Sequence, residues 1–348
     1  MKLFTLLLLL CLWCGTSVAE TIKIGVVTDL TSFGAFWGNQ TRRGAMLAEA
    51  DAKASGNDVQ VVLGDSGFKP TTGVSEVQKM LQVDRVSSFY VEFTPIVVAV
   101  SPIIYRNNRL LIGSSTSTDI LKSNPYAFKA YLDYEQGCKM LADNWKEKRK
   151  VRILAVNLEI GERCIRGAST VLPGLQVERF NGGDDLRSIV TRIRASDTDG
   201  LIFAGYEPDA RTLLKLMAEM RLQIDLAGTH GDLPTIEPPQ EYLSILKNTT
   251  VFGFKSVSPQ FLKRFQKEFP DAPSLGIEAA AMSYLHVQQL AKAMSKCGKK
   301  DISCQVSDLN DQPADLAISF TGWEKRAAKY EMRLKRYDGL KFADLAAR

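Results

Sequence analysis

Histidine is nearly absent from this 348-residue chain, which has two, His230 and His286. Together with cysteine spacings that match no zinc pattern, this argues against a metal centre, and no cofactor is expected. Clustered basic charge is missing as well. The net charge is +5, from 44 Lys and Arg against 39 Asp and Glu, and the densest basic run, 146–150, reads as a solvated helix end before a strand. Nucleic acid is therefore not an expected partner. After the N-terminal segment no apolar run reaches the roughly 20 residues that a bilayer span requires. Low-complexity segments and a clean linker are also lacking. What remains is ordinary globular composition, 45% hydrophobic and 24% charged.

The N-terminus has a layout of its own. Lys2 precedes the apolar run Leu3 to Trp13, and small residues ending Ser17-Val18-Ala19 follow. Charge, a short apolar stretch and small residues at −3 and −1 predict a secretory signal (1–19) cut after Ala19, at Ala19-Glu20. Cys14 sits behind bulky Trp13, a poor lipoprotein context, so simple cleavage is expected. The product would be an exported, periplasmic protein of about 330 residues, enough for two domains.

Cleavage would leave Cys138, Cys164, Cys297 and Cys304, an even number in an exported protein. Cys297 and Cys304 flank Gly298-Lys299-Lys300-Asp301, so a loop-closing disulfide is the natural pairing. Cys138 and Cys164 would then pair between neighbouring helices. The alternative is four buried thiols.

From Ile22 the chain alternates strand and helix signals. Strands are expected at Ile22 to Thr28, Val59 to Leu63, Ser88 to Val91 and Leu110 to Ile112. Helices are expected at Thr41 to Ala54, around Val74, Val77, Met80 and Leu81, and at Ile96 to Tyr105. A second series runs from a helix at Tyr134 to Lys148, through strands at Arg152 to Val156, Gln176 to Phe180 and Gly200 to Phe203, to one at Asp225 to Ala227. Two βα series of similar size predict an α/β protein of two doubly wound, Rossmann-like parallel-sheet lobes. After Val251 the pattern loosens into a strand, two helices (Pro259 to Glu268 and Ile277 to Lys296) and strands at Ala317 to Gly322 and Tyr330 to Asp338.

Ligands of open parallel sheets bind beyond the carboxyl ends of the strands, where helix N-termini converge. In the first series those loops are Asp29 to Gly38, Glu92-Phe93-Thr94-Pro95 and Gly113-Ser114-Ser115-Thr116-Ser117. Thr94 suits an N-cap and Pro95 the first helical position. In the second they are Leu158 to Glu162, Gly205-Tyr206-Glu207-Pro208 and Thr229-His230-Gly231-Asp232. The first lobe offers hydroxyls, N–H groups and aromatics, the second an aromatic and carboxylates. Loop hydroxyls commonly cap helices and aromatics beside glycines commonly pack, so the weight rests on their shared place at strand ends.

The order of these pieces resembles the branched-chain amino-acid-binding family of type I periplasmic binding proteins, the extracytoplasmic receptors of ABC importers. The likeness runs from Ile22 to about Gly339. It is carried by Ile22-Lys23-Ile24-Gly25-Val26-Val27 with Gly34 and Gly38, Gly44-Ala45, and Gly64-Asp65-Ser66 with Pro70. It continues through Ile112 to Ser117, Gly205-Tyr206-Glu207-Pro208 and Ser283-Tyr284. The resemblance implies lobes joined by a three-segment hinge, 20–133 plus 255–320 and 134–254 plus 321–348. It implies ligand contacts at Trp37, Thr94, Ser115, Thr116 and Ser117, and in the second lobe Tyr206, Glu207, His230 and Asp232. The second lobe departs from the family pattern. His230, with Asp232 nearby, stands where amino-acid receptors offer a carboxylate to the ligand's ammonium, and Ile160 stands where a tyrosine is usual. Losing that charge-assisted bond removes roughly 1.5–3 kcal/mol, so a carboxylate-bearing or aromatic ligand is expected as readily as an amino acid.

The implied function is a monomeric receptor that captures a small organic ligand by hinge closure and delivers it to a membrane ABC permease. The alternative partner is a membrane sensor kinase, with the chain as its ligand-sensing subunit. An enzyme ranks behind both, since no catalytic residue stands out. Gly64-Asp65-Ser66-Gly67 resembles a serine-protease loop but follows a strand with no histidine before it. His230 and Asp232 lack an obvious nucleophile, His286 sits in a helical run, and the glycines of the first loop form no G-x-G-x-x-G.

Overall fold

The computed structural model describes residues 21–147, 150–229, 231, 233, 240–273, 276–313, 317–339 and 342–345. The fold begins with β1 (Ile22–Thr28), whose Ile24, Val26 and Val27 are fully buried. Burial at neighbouring positions means both faces of the strand are covered, as in a parallel sheet sandwiched by helices. There follow α1 (Ala35–Ala54), β2 (Val59–Asp65), α2 (Pro70–Lys79), β3 (Ser88–Glu92), α3 (Thr94–Arg106), β4 (Leu110–Ser114), α4 (Asp119–Ser123) and β5 (Ala127–Lys129). Their strands pair in parallel in the order β2-β1-β3-β4-β5.

The chain then crosses to a second lobe. Its elements are α5 (Tyr134–Asn144), β6 (Val151–Val156), α6 (Glu159–Ser169), β7 (Gln176–Phe180), α7 (Arg187–Ala195), β8 (Gly200–Ala204), α8 (Glu207–Glu219), β9 (Asp225–Thr229), α9 (Leu243–Leu246) and β10 (Thr250–Phe254). The strands again pair in parallel, as β7-β6-β8-β9-β10. α5 and α6 are tied by the Cys138–Cys164 disulfide, with Cα atoms 5.1 Å apart.

A second crossing returns the chain to the first lobe as α10 (Pro259–Glu268), α11 (Ile277–Cys297), α12 (Ile302–Asn310), β11 (Phe320–Glu324) and β12 (Ala327–Tyr330). α11 packs closely along α1. A Cβ on Gly44 would lie 2.0 Å from the Ala280 carbonyl oxygen, and Ser283 Oγ donates to the Thr41 carbonyl at 2.8 Å. The Cys297–Cys304 disulfide joins α11 to α12. A third crossing at Glu331 sends β13 (Met332–Tyr337) and β14 (Phe342–Asp344) to the second sheet.

Each sheet thus has seven strands, β11-β12-β5-β4-β3-β1-β2 and β14-β13-β10-β9-β8-β6-β7, mostly parallel with an antiparallel edge. This is the two-lobed, doubly wound α/β architecture that the alternating strand and helix signals predict.

Three expectations are corrected. The first helix begins at Ala35 rather than Thr41, because Gly38 lies against the Asp29 backbone, where a Cβ would fall 1.7 Å from its carbonyl oxygen. The helix from Tyr134 ends at Asn144. The third concerns residues 321–330, which pair with the first sheet, so the last crossing lies at Glu331 and not after residue 320. The β11–β12 hairpin escapes sequence reading because its turn, Lys325-Arg326, takes positive φ without glycine or asparagine. Arg326 holds the hairpin in place by donating to the carbonyls of Leu121 at 2.6 Å, Asn124 at 2.8 Å and Ala127 at 2.9 Å.

Candidate functional site

The carboxyl ends of the two sheets face each other across a cavity of about 740 Å³, counted out to open solvent. Its first-lobe wall is made by three turns that leave strands and enter helices. After β1, the Asp29 carboxylate accepts from the N–H groups of Thr31, Ser32 and Gly34, and Asp65 accepts from Leu30 N–H. This bracing delivers Trp37, on the first turn of α1, to the cavity.

After β3 the turn is sharper. Phe93 takes φ 71°, a left-handed conformation that costs a non-glycine residue on the order of 1–3 kcal/mol. Phe93 is held there against Phe68, ring centroids 5.0 Å apart, and the turn brings Glu92, Phe93 and Thr94 to the cavity. Thr94 opens α3 instead of capping it. Its Oγ1 accepts from the Thr116 N–H at 2.9 Å and bonds the Thr116 hydroxyl at 3.1 Å.

After β4, Ser114 and Thr116 line the space, whereas Ser115 and Ser117 do not. The latter hydroxyls turn inward on the loop, Ser115 Oγ accepting from Ser117 N–H at 3.0 Å and Ser117 Oγ from Asp119 N–H at 3.2 Å. They shape the loop that presents Thr116. The first two turns of α11 complete the wall with Glu278, Ala279 and Met282.

The opposite wall consists of Ile160, Tyr206, Gly231 and Phe254, with Tyr131 and Tyr134 at the first crossing. Tyr131 packs on Tyr134 and edge-on to Phe254. Tyr206 reaches the first lobe at Phe68, centroids 6.0 Å apart. Glu207 lies outside the lining and is held by Arg211 one turn on, at 2.6 and 2.9 Å. His230 and Asp232 lie outside the described residues.

The lobes also meet through backbone and charge. Thr118 N–H donates to Glu159 Oε1 at 3.3 Å, and Arg163 lies between Glu159 and Asp133 of the first crossing. Lys129, buried at the same crossing, donates to the Tyr131 carbonyl at 3.1 Å, and burial lowers its pKa to about 8. Lys335 on β13 faces Glu278 at 3.8 Å.

Glu92 is the most perturbed group of the cavity wall. It is 5% exposed, and its Oε2 accepts from Thr28 Oγ1 at 2.5 Å. Burial raises its pKa to about 7, and Asp29 adds to the rise against the opposing Thr28 hydrogen bond. His286 is a core residue by contrast, its ring nitrogens 2.7 Å from Gln289 and Tyr330, and burial lowers its pKa to about 4. Ser66 of the protease-like loop is fully buried. Among the described residues no group of three or more His, Cys, Asp or Glu could hold a metal ion, and no helix is long and apolar enough to cross a membrane.

Strand-end reasoning overlooked Glu92, Tyr131, Tyr134, Phe254 and Glu278. The tyrosines and Phe254 flank chain crossings, and Glu278 lies on the first turn of α11, a helix of the last third of the chain that follows no strand of the first sheet. Glu92 lies within an expected loop, and its closing position on a strand, separated by one residue from Thr94-Pro95, is the available signal.

Two seven-stranded lobes joined by three crossings thus enclose a cavity walled by both. The chain belongs to the periplasmic binding protein family, whose sequence model matches residues 21–332. Members of this family are solute-binding receptors, not enzymes. A Leu/Ile/Val-binding protein homolog from Brucella abortus is 26% identical over 311 residues, covering 82% of this chain and 81% of its own. Among solved structures, a branched-chain amino acid transporter substrate binding protein from Streptococcus pneumoniae, in complex with isoleucine, superposes with TM-score 0.79 at 18% identity. It covers 93% of this chain and 99% of its own. A solute binding protein from R. palustris in complex with 4-hydroxybenzoate gives TM-score 0.82 at 18% identity, covering 94% and 96%.

Proposed function

We propose that this chain is an extracytoplasmic receptor that captures a small organic molecule between its lobes and hands it to a membrane ABC permease. One observation carries the reading: the cavity is walled by side chains of both lobes, so a ligand would complete interactions that neither lobe makes alone. Ligand docks on the hydroxyl-bearing first wall around Thr94 and Thr116. The second lobe then rotates about the three crossings and covers it with Tyr206 and Ile160. The closed form is favoured because the ligand touches both walls only there, which is the differential affinity a ligand-driven closure requires. A leader at 1–19, cut after Ala19, would export the chain, which acts as a monomer with its lobe surfaces facing the permease.

The ligand classes are amino acids and aromatic or other carboxylic acids. Both fit six aromatic side chains in the lining beside hydroxyls able to hold a carboxylate. A thermal-shift screen of the purified protein against amino acids, aromatic acids, aliphatic acids and sugars tests this. A ligand at 100 times its dissociation constant adds about 2.7 kcal/mol and raises the midpoint. A rise with an amino acid or a carboxylic acid supports the receptor; a rise with sugars alone overturns the ligand class.

A further inference from the structure

We infer that Glu159 is an interlobe latch, whose carboxylate bonds the Thr118 N–H across the cleft and holds the lobes together before any ligand arrives. The inference goes beyond the receptor reading above, since the latch acts between the lobes without touching a ligand.

The position of the carboxylate leads to it. Glu159 opens α6 in the second lobe, and Thr118 follows the first-lobe loop that presents Ser114 and Thr116 to the cavity. The two bond at 3.3 Å in a half-buried setting. Neither lines the cavity, although Ile160 beside Glu159 does. The bond therefore closes next to the cavity without depending on what the cavity holds.

The surrounding charges hold that carboxylate toward the first lobe. Arg163, buried one turn along α6, faces Glu159 at 3.7 Å and donates to Asp133 of the first crossing at 3.3 Å. On the first-lobe side stands Lys129, the last residue of β5. Burial and the Arg163 charge lower its pKa, and the Asp133 and Glu159 carboxylates oppose them. Glu159 thus acts on one cation in each lobe and on a first-lobe N–H. Rotating the lobes apart about the crossings would break the Thr118 bond and draw Glu159 away from Lys129. Its contact with Arg163, on the same helix, would persist. An interaction present in the closed form and lost in the open one biases the equilibrium between them. Apparent affinity scales with the fraction of molecules in the binding-competent form, so such a latch changes the affinity of every ligand by one factor.

Double electron–electron resonance on the ligand-free protein decides it, with spin labels at Lys69→Cys and Gly182→Cys, exposed loop positions of the first and second lobe. The labelled parent should show a short-distance component from closed molecules. Glu159→Ala should lower the ratio of short to long distances roughly ten-fold, the scale of one hydrogen bond to a charged group. Glu159→Gln keeps an acceptor for Thr118 and loses the attraction to Lys129, so it should fall between the two. Circular dichroism checks that each variant is folded, and Glu159→Gln carries the test if the alanine variant is not. Titration with L-leucine and 4-hydroxybenzoate gives a second reading. Each probe that the parent binds should weaken in Glu159→Ala by one common factor that matches the lost closed fraction. A parent without the short component overturns the latch, as do distances that neither substitution changes. A substitution that reverses the ranking of the two probes overturns it too, because Glu159 would then act on the ligand. The distances need no ligand, so loss of the latch leaves the receptor reading standing, and a failed ligand screen leaves the latch standing.

Discussion

The two lobes share one architecture and present different chemistry to the space between them. Each sheet has five parallel strands extended at one edge by strands from the last third of the chain. The first lobe offers the cavity carboxyls and hydroxyls, at Glu92, Thr94, Ser114, Thr116 and Glu278. The described second-lobe wall is Ile160, Gly231, Phe254 and the rings of Tyr134 and Tyr206, with no charged side chain. A polar wall fixes orientation by hydrogen bonds of defined direction, whereas an apolar, aromatic wall contributes area and excludes water. Under the proposed receptor reading, recognition falls to the first lobe and closure to the second.

The lobes also differ in how they are secured, and the largest expected effect lies there. The second-lobe disulfide spans 26 residues and the first-lobe one 7. Loop-closure entropy puts Cys138→Ser with Cys164→Ser at about 3.5 kcal/mol and Cys297→Ser with Cys304→Ser at about 2.4 kcal/mol. Denaturant unfolding of the two variants measures the gap, and a reversed order would break the comparison. Next comes the seam of the first lobe. Gly44→Ala should cost roughly 1–3 kcal/mol, because α11 leaves no room for a methyl group.

The polar wall carries a cost of its own. Because Glu92 titrates higher in the folded chain than in the unfolded one, the folded state holds more protons between pH 4.5 and about 7. Stability should therefore fall as pH rises through that window. Glu92→Gln should raise ligand-free stability at pH 8 by on the order of 2–3 kcal/mol and leave it unchanged near pH 4. A pH series of thermal midpoints checks this. The smallest effects separate the two walls directly. Thr94→Val should weaken ligand binding about ten-fold through both lobe-one hydroxyls, and Ile160→Ala by about three-fold or less. Titrations in which Ile160→Ala proves the more damaging would exchange the assignments of the walls.

Much of the fold was legible because parallel strands announce themselves as apolar runs. β1 spans the residues expected of it, since Ile24, Val26 and Val27 have no other way to be buried. The β11–β12 hairpin was not legible, because its turn relies on Arg326 bonding three distant carbonyls rather than on a turn-forming residue. The cavity divides in the same way. Trp37, Thr94, Thr116 and Tyr206 follow strand ends and can be found by walking along each strand. Ser115 and Ser117 carry the same hydroxyl chemistry as Thr116, and only the loop's internal bonding shows that they turn away. Tyr131 and Phe254 reach the cavity at crossings, and Glu278 on a helix from the last third of the chain, which no local pattern records.

Hydrogen–deuterium exchange with and without a ligand retained from the screen tests the central claim, capture between the lobes, most directly. Slower exchange is expected in both walls at once, in segment 92–97 after β3 and in segment 206–210 at the start of α8. Protection confined to one lobe, or lying away from both segments, would contradict capture between the lobes.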